Sequence, residues 1–240
     1  MIPRTQRTPI RRPTSAVRSG RSAEDRVFTA VLDAILDHRL APGTKLVERD
    51  LSEILGASRG AVRAALRRLG HDLLVELRPN RGAVIANPSA AETRDLLEAR
   101  RVIESALLQR LARTLSAKQL AALRAFCADE QRAYDRGDVK TGKRLSIRFH
   151  KLIAELAGNA VLDRFMEQLI CRTPLLARNG GRLAAYCGAQ EHREVVEALA
   201  RRDAAAAVRR MSAHLDSLER HLTLDEAAPA ADLAEALLAR

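Results

Sequence analysis

The chain has 240 residues, of which 41 are Lys or Arg and 30 are Asp or Glu, giving a formal net charge of +11. Hydrophobic residues make up 47% of it and aromatic residues only 2%, so the core must consist of small aliphatic side chains, which favours packed helices over a β-sandwich. The sequence contains no run of about 18 apolar residues, so no membrane span is predicted. The three cysteines form no C-x-x-C pair, which indicates reduced thiols in a cytoplasm.

Residues 1–21 contain several arginines and prolines and no acidic residue. This composition predicts a disordered basic tail. Two interpretations stay open: an arm that contacts DNA phosphates or a minor groove, or a start that only improves solubility. The tail lacks the apolar segment of a secretion signal, so a cytoplasmic protein is expected.

Three helices are predicted after this tail. Ser22 is the N-cap of the first, which runs to about His38. The next two are joined by the short turn Gly56-Ala57-Ser58, and Ser58 is the predicted N-cap of the second of the pair. The apolar stripe of that last helix is Val62, Leu66 and Leu69. Two helices with such a turn, and arginines on the second, are typical of a helix-turn-helix that binds DNA.

Two short apolar runs, residues 74–77 and 83–85, follow the helix-turn-helix. The turn between them contains Pro79, Asn80 and Gly82. Such a pattern predicts a β-hairpin, here with an arginine at its tip. The three helices and the hairpin together indicate a winged helix-turn-helix, which we call the head and assign to residues 22–87.

Residues 88–224 show only helical periods after a break at Asn87-Pro88-Ser89. The predicted helices cover residues 91–113, 116–136, 139–157, 159–177, 182–199 and 203–222. This region is predicted to be an all-α bundle, so the fold class is mainly α with a small β-hairpin wing. Residues 225–240 are interpreted as a C-terminal tail, which is rich in alanine and either forms a short helix or frays.

The stretch LAPGTKLVERDLSEILGASRGAVRAALRRL, followed by LLVELRPNRGAVI, resembles the GntR family of bacterial transcription regulators. The resemblance implies an operator-binding head and assigns DNA contact to Arg49, Arg59 and Arg63. The residues themselves favour the same assignment. Arg59 and Arg63 lie one turn apart at the start of the second motif helix, where a guanidinium can bond both O6 and N7 of guanine. Arg49 lies at the start of the first, which favours phosphate.

Three further residues are predicted at the DNA. Ser58 is expected to bond a phosphate as well as to cap its helix, and Arg81 and Gly82 match the wing tip that approaches the minor groove in the family. The sequence departs from the family pattern at Gly60-Ala61, where relatives commonly carry Thr-Pro. The operator sequence therefore cannot be transferred from relatives.

Residues 88–224 resemble the FCD domain of the FadR subfamily. The resemblance rests on the fragments EARRVIE (residues 98–104), RFHKLIAE (148–155), EHR (191–193) and MSAHL (211–215). It implies a homodimer and a small organic-acid effector with a carboxylate. Arg100 matches an inward-facing arginine suited to grip a carboxylate, although a salt bridge to Glu104 is an equally simple role. Ser146 and Asn159 are further predicted effector contacts.

His150, His192 and His214 lie on three different predicted helices. Facing helices of a bundle can direct ligands at one point, and imidazole suits Zn²⁺ or another divalent transition metal. Metal-binding relatives carry a carboxylate where this chain has Ser146, so the predicted site consists of three histidines completed by water or an effector carboxylate. The alternative is a set of polar histidines that line a cavity without metal.

We therefore predict a homodimeric transcription regulator, with repression as the default, that binds a near-palindromic DNA operator and is not an enzyme. A non-specific architectural DNA-binding protein is the first alternative, because a net charge of +11 permits it. A metal-dependent hydrolase is the second, and it is disfavoured because no Glu accompanies the histidines in an H-E-x-x-H arrangement.

Overall fold

The computed structural model describes residues 21–79, 82–176, 188–222 and 232–238. The head consists of α1 (Ala23–Leu36), β1 (Lys45–Leu46), α2 (Glu48–Ile54), α3 (Arg59–His71), β2 (Val75–Arg78) and β3 (Gly82–Ile85). The later elements are α4 (Ala90–Thr114), α5 (Ala117–Asp135), α6 (Val139–Ala157), α7 (Ala160–Arg172), a 3₁₀ turn (Thr173–Leu176), α8 (Ala189–Ala200), α9 (Ala204–His221) and α10 (Leu233–Leu238). None of the helices in these ranges is long and apolar enough to cross a membrane.

The head is a three-helix unit closed by a small antiparallel sheet, as predicted. Ser22 caps α1 and accepts a hydrogen bond from the Asp25 amide at 3.0 Å. The sheet has the strand order β1-β3-β2, so the hairpin strand β3 lies between its partner β2 and the additional strand β1. The sequence analysis did not predict β1, because two residues are too few to show an alternating pattern.

Helices α4 to α9 form a helical bundle, which we call the effector domain. The long helix α4 packs against α6, α7, α8 and α9, while α5 packs against α6 and α8. The bundle core is formed by aliphatic residues together with Phe149, as the low aromatic content requires. Ser89 with Glu92, and Ser116 with Gln119, form capping boxes that fix where α4 and α5 begin.

Two predicted helix boundaries differ from the structure. The helix predicted over residues 159–177 ends at Arg172 and continues as the 3₁₀ turn, because Pro174 has no amide hydrogen for the helical ladder. The helix predicted from residue 182 begins at Ala189. The first residues of that prediction, and the whole predicted basic tail except Arg21, lie outside the described part of the chain.

The last helix, α10, packs against α1 and α2 of the head. Ala236 and Leu237 are 4% and 7% exposed and belong to the same core as the buried residues of the head. The Arg39 guanidinium, just after α1, donates a hydrogen bond to the Ala236 carbonyl. Of the two outcomes left open for residues 225–240, a short helix is therefore the one observed for residues 233–238.

Candidate DNA-binding surface and metal centre

Helix α3 presents opposite faces to the core and to solvent. Ser58 caps it by accepting a hydrogen bond from the Ala61 amide at 3.2 Å. Val62, Ala65, Leu66 and Leu69 are buried against the rest of the head. Arg59, Arg63 and Arg67 are exposed on the other side. Together with the exposed Arg49 on α2, these three residues form what we call the arginine surface.

Glu48, at the first position of α2, lies within the arginine surface. The Arg63 guanidinium donates to both of its carboxylate oxygens, with the Nη2–Oε2 distance 2.9 Å. The hydrogen bond from Arg63 is the main cause that lowers the pKa of Glu48, and the nearby charges of Arg59 and Arg67 lower it further. The acid orients Arg63 and competes with any phosphate or base that would bind it.

Arg68, Arg81 and Gly82 differ from the residues of the arginine surface. Arg68 lies 3.8 Å over the Phe28 ring and bonds Asp25 at 3.0 Å, so it braces α3 against α1 rather than forming a freely solvated face. Arg81 lies outside the described residues. Gly82 has φ +79°, and a Cβ there would lie 2.3 Å from the Leu46 carbonyl oxygen. The pairing of β1 with β3 therefore requires glycine at position 82, whatever its relation to DNA.

The three predicted histidines converge inside the effector domain, and we call them the histidine centre. His150 on α6, His192 on α8 and His214 on α9 are all buried. The Nε2 atom of His214 lies 3.2 Å from Nε2 of His192 and 3.3 Å from Nε2 of His150. Ligand atoms of all three histidines lie within 4.8 Å of one another.

Each histidine of the centre has a carboxylate at its other ring nitrogen. The Nδ1 atom lies 2.7 Å from Glu104 in His150, 2.8 Å from Glu130 in His192 and 2.7 Å from Glu191 in His214. A charged carboxylate only accepts hydrogen bonds, so beside three charged carboxylates each Nδ1 would carry the proton and each Nε2 would present a lone pair.

The protonation of the centre follows from its burial. Burial lowers the pKa of His192 to about 3 and that of His214 to about 4, and it lowers the pKa of His150 well below the usual value. All three imidazoles are therefore neutral at pH 7. Burial also raises the pKa of Glu130 to about 7, although the nearby His214 and, to a smaller extent, a hydrogen bond from Ser146 oppose that shift. A cation at the Nε2 atoms would favour the charged carboxylate.

The arrangement fits a divalent metal by a direct geometric test. Nitrogen ligands about 2.0–2.1 Å from a tetrahedral Zn²⁺ ion stand about 3.3 Å apart. The two Nε2–Nε2 distances from His214, 3.2 and 3.3 Å, match that edge, and the ligand atoms of His150 and His192 lie within 4.8 Å of each other. Lone pairs directed at one another over such distances repel, and a cation between them would remove the repulsion.

A cavity lies beside the histidine centre. The volume of this cavity is about 60 Å³, well below the roughly 300–1,000 Å³ of drug-sized ligand sites, so a ligand that binds here must be small. Residues from both parts of the chain line it: His38, Arg100, Tyr134, Lys143, Ser146, Ile147, His150, Ile170, Thr173, Pro174, His214 and Leu218.

The predicted effector contacts are only partly brought together. Arg100 lines the cavity and forms the alternative salt bridge, with its Nε 2.9 Å from Glu104 and its Nη1 3.1 Å from Thr173. Its buried Nη2 has no hydrogen-bond partner among the described residues. Ser146 also lines the cavity. Asn159 does not, because its side chain caps α7 by accepting from the Val161 and Leu162 amides.

Several residues of the site were not singled out from the sequence. Glu104, Glu130 and Glu191 were not identified as partners of the histidines, and His38 and Lys143 were not placed at the cavity. Glu104 precedes His150 by 46 residues and Glu130 precedes His192 by 62. Only the helical spacing of Arg100 and Glu104 gave a local signal.

A head with this fold and this arginine surface defines a winged-helix DNA-binding protein. Residues 23–85 match the family of bacterial regulatory proteins named gntR, and residues 95–217, more than half of the chain, match the FCD domain. The chain belongs to the GntR family of bacterial transcription regulators and carries an FCD effector domain. The matching families and relatives are regulators, not enzymes.

Three similar proteins illustrate the match. The HTH-type transcriptional repressor RspR of Escherichia coli is 27% identical over 182 residues, which cover 75% of this chain and 79% of RspR. A putative GntR regulator from Rhodococcus sp. RHA1 has a TM-score of 0.71 at 26% identity, covering 83% of this chain and 96% of that one. McbR/YncC of E. coli shares the fold, with a TM-score of 0.73 at 20% identity over 85% and 98% of the two chains.

Proposed function

We propose that this protein is a homodimeric repressor of the FadR subfamily, acting in the cytoplasm, whose two heads bind a near-palindromic operator. In this proposal α3 enters the major groove, Arg59 and Arg63 contact base edges, and Arg49 and Ser58 bond phosphates. The observation that carries it is the face of α3 that bears exposed arginines opposite a fully buried stripe. The name of RspR as a repressor supports the sense of regulation.

The histidine centre is proposed to hold one divalent transition metal such as Zn²⁺. His150, His192 and His214 are its protein ligands, and Ser146 is not, because a serine hydroxyl is a poor zinc ligand at neutral pH. The support is the pair of Nε2 separations that match a tetrahedral edge, together with a carboxylate at every Nδ1. The bound metal would supply a Lewis-acidic position for water or an effector carboxylate.

The effector is proposed to be a small organic acid. Glu104 pairs with Arg100, Glu130 and Glu191 bond His192 and His214, and Lys143 lines the cavity. These ionisable groups other than the histidines carry three negative and two positive charges when all are ionised. With a divalent metal added, one positive charge remains, which an effector carboxylate would neutralise. The unpaired Nη2 of Arg100 provides a donor for it. Effector binding would favour one of two head arrangements and so relieve repression.

Operator binding is tested with Arg59→Ala/Arg63→Ala against Arg136→Ala, which removes one charge from an exposed turn of the effector domain. Affinity for DNA from upstream of the gene and for random DNA is measured at one salt concentration. We expect the double variant to lose about 100-fold or more on the upstream DNA, from two base contacts of about 1–3 kcal/mol each. The control should bind like the wild type. Equal wild-type affinity for both DNAs would instead favour the architectural alternative.

Metal binding is tested by elemental analysis of His214→Ala against His221→Ala, since His221 lies on the same helix but is exposed. The wild type and the His221 variant should each carry about one metal ion per chain, and the His214 variant should carry almost none. Equal metal content in all three proteins would contradict the site, and a metal-free wild type would favour the alternative of a metal-free cavity.

A further inference from the structure

One side chain of the cavity comes from the DNA-binding head. His38 follows α1 and lines the cavity together with Arg100 of α4 and Lys143 of α6. Burial, followed by the charge of Lys143, lowers the pKa of His38 to about 4, so the imidazole is neutral at pH 7. Its ring forms no hydrogen bond with another residue in the described ranges. A residue of the head thus presents unused hydrogen-bonding atoms where the effector domain has its pocket.

The backbone of His38 adopts a conformation that is uncommon for histidine. His38 has φ +55°, in the left-handed region that favours glycine or asparagine after a helix. Arg202, after α8, adopts the same conformation, and its side chain donates to the carbonyls of Ala112, Arg113 and Leu115 at the end of α4. The His38 side chain has no comparable partner among the described residues, although glycine would fit the backbone more easily.

Ion pairs hold this end of α1 against the effector domain. Asp37, whose side chain is 2% exposed, bonds Arg144 at 2.6 Å and Lys140 at 3.2 Å. Arg144 also bonds Asp33 at 3.2 Å. Burial acts to raise the pKa of Asp37, but hydrogen bonds from Arg144 and Lys140 bring it below its usual value. The adjacent His38 is therefore held at the cavity in this arrangement of head and effector domain.

Two cationic side chains, Lys143 and Arg100, line the cavity together with His38. Lys143 is half-buried and forms no salt bridge within the described ranges, and burial lowers its pKa. Arg100 is paired with Glu104 but keeps an unbonded Nη2. A small anion between these groups would gain two charged donors, and the neutral imidazole of His38 could donate a third hydrogen bond.

We propose that His38 is an effector-contacting residue supplied by the head, so that a small carboxylate in the cavity binds the head and the effector domain at once. This inference rests on the effector-binding role proposed above. It adds a direct physical link: the His38 contact exists only when the head occupies this position, so the anion stabilises one head arrangement through its own bond. No relay through the bundle is needed for that part of the coupling.

The test uses His38→Gly, which removes the imidazole and relieves the left-handed backbone, so it should fold at least as well as the wild type. Leu73→Gly is the matched control, because Leu73 is also a left-handed residue of the head, with φ +58°, and does not line the cavity. His38→Asn tests for rescue, since asparagine tolerates the conformation and keeps a donor. The probes are succinate and lactate, added to metal-loaded protein.

Two quantities are measured for each variant: probe affinity by calorimetry, and operator affinity with and without saturating probe. The wild type and Leu73→Gly should bind at least one probe and change operator affinity by about fivefold or more. His38→Gly should bind that probe about fivefold more weakly, as expected for one lost hydrogen bond. Saturating probe should change the operator affinity of His38→Gly by less than about twofold. His38→Asn should recover part of both effects.

Unchanged probe affinity and coupling in His38→Gly would overturn the inference, as would a wild type that binds neither probe. The melting temperature of each variant shows whether a loss comes from unfolding. Operator affinity without probe is read in the same experiment and reports the proposed DNA-binding function separately. A failure of the His38 contact therefore leaves normal probe-free operator binding, whereas a failure of the proposed function removes it.

Discussion

The arginine surface and the histidine centre are built in opposite ways along the chain. The arginine surface lies within residues 49–67, on two consecutive helices, and its side chains are exposed. The histidine centre takes its ligands from α6, α8 and α9 and their carboxylate partners from α4, α5 and α8, all in the bundle interior. A surface that binds DNA can be formed by side chains of one or two consecutive helices. A buried ligand site requires side chains that converge from several helices.

The first prediction tests whether the stability of the head depends on α10, a helix far from it in the sequence. Leu237→Ala removes an aliphatic side chain of α10 from the core of the head, and Leu238→Ala is the control, since Leu238 is 61% exposed on the same helix. We expect a loss of about 2–3 kcal/mol in head stability for Leu237→Ala and little for Leu238→Ala. Hydrogen exchange of α1 and α2 amides measures it, and equal protection in both variants would mean that α10 contributes nothing to the core.

The second prediction concerns the carboxylates behind the histidines. Glu104→Gln replaces the acceptor of His150 Nδ1–H and the partner of Arg100, and we expect metal affinity to fall about 10- to 100-fold. Glu98→Gln on the exposed side of the same helix is the control. Competition with a chelator at pH 7 measures both. A Glu104 variant with wild-type affinity would show that the orientation of His150 does not depend on α4.

The third prediction tests how tightly the centre is packed. A Cβ at Gly188 would lie 2.8 Å from Cε1 and 3.3 Å from Nδ1 of His214. Gly188→Ala must therefore move the His214 ring, and we expect metal affinity to fall by roughly fivefold to tenfold, as for a small displacement of one ligand. Gly60→Ala, where the nearest atom is 3.9 Å away, is the control. Unchanged metal affinity in Gly188→Ala would mean that the His214 ring can move without weakening metal binding.

The smallest effect is expected on the arginine surface. Glu48→Gln removes the charge that holds Arg63, and exposed ion pairs are worth only about 0.2–1 kcal/mol. We expect DNA affinity to rise by about twofold to fivefold, because Arg63 no longer has to break an ion pair with Glu48 before it binds DNA. Glu98→Gln again serves as the control, and fluorescence anisotropy at two salt concentrations measures both. Weaker binding by the Glu48 variant would indicate that the acid is needed to orient Arg63.

The same contrast explains how far the sequence could predict the molecule. Ser58, the buried stripe of α3 and the exposed arginines were predicted correctly, because caps and helical periods are local signals. The three histidines were assigned to one site because they lie on three predicted helices of a region that resembles the FCD domain, and periodicity alone would not have brought them together. Their carboxylate partners, 46, 62 and 23 residues away along the chain, left no local pattern.

The misplaced residues also have physical reasons. Asn159 was expected near the effector, but an asparagine before a helix is used to satisfy the first amides of that helix. His38 was not placed at the cavity from the sequence, because its position beside α6 depends on ion pairs such as that between Asp37 and Arg144, which join residues far apart in the chain. The close approach of Gly82 to Leu46 depends on the unpredicted strand β1.

The docking of α10 on the head has a consequence for how the protein is made. The hydrogen bond between Arg39 and Ala236 joins residues 197 positions apart, so the head cannot complete its core until residues 233–238 have been synthesised. Domains generally fold in order during synthesis, but here the first domain waits for a segment that follows the effector domain. A chain that ended before α10 would leave exposed the part of the head core that Ala236 and Leu237 cover.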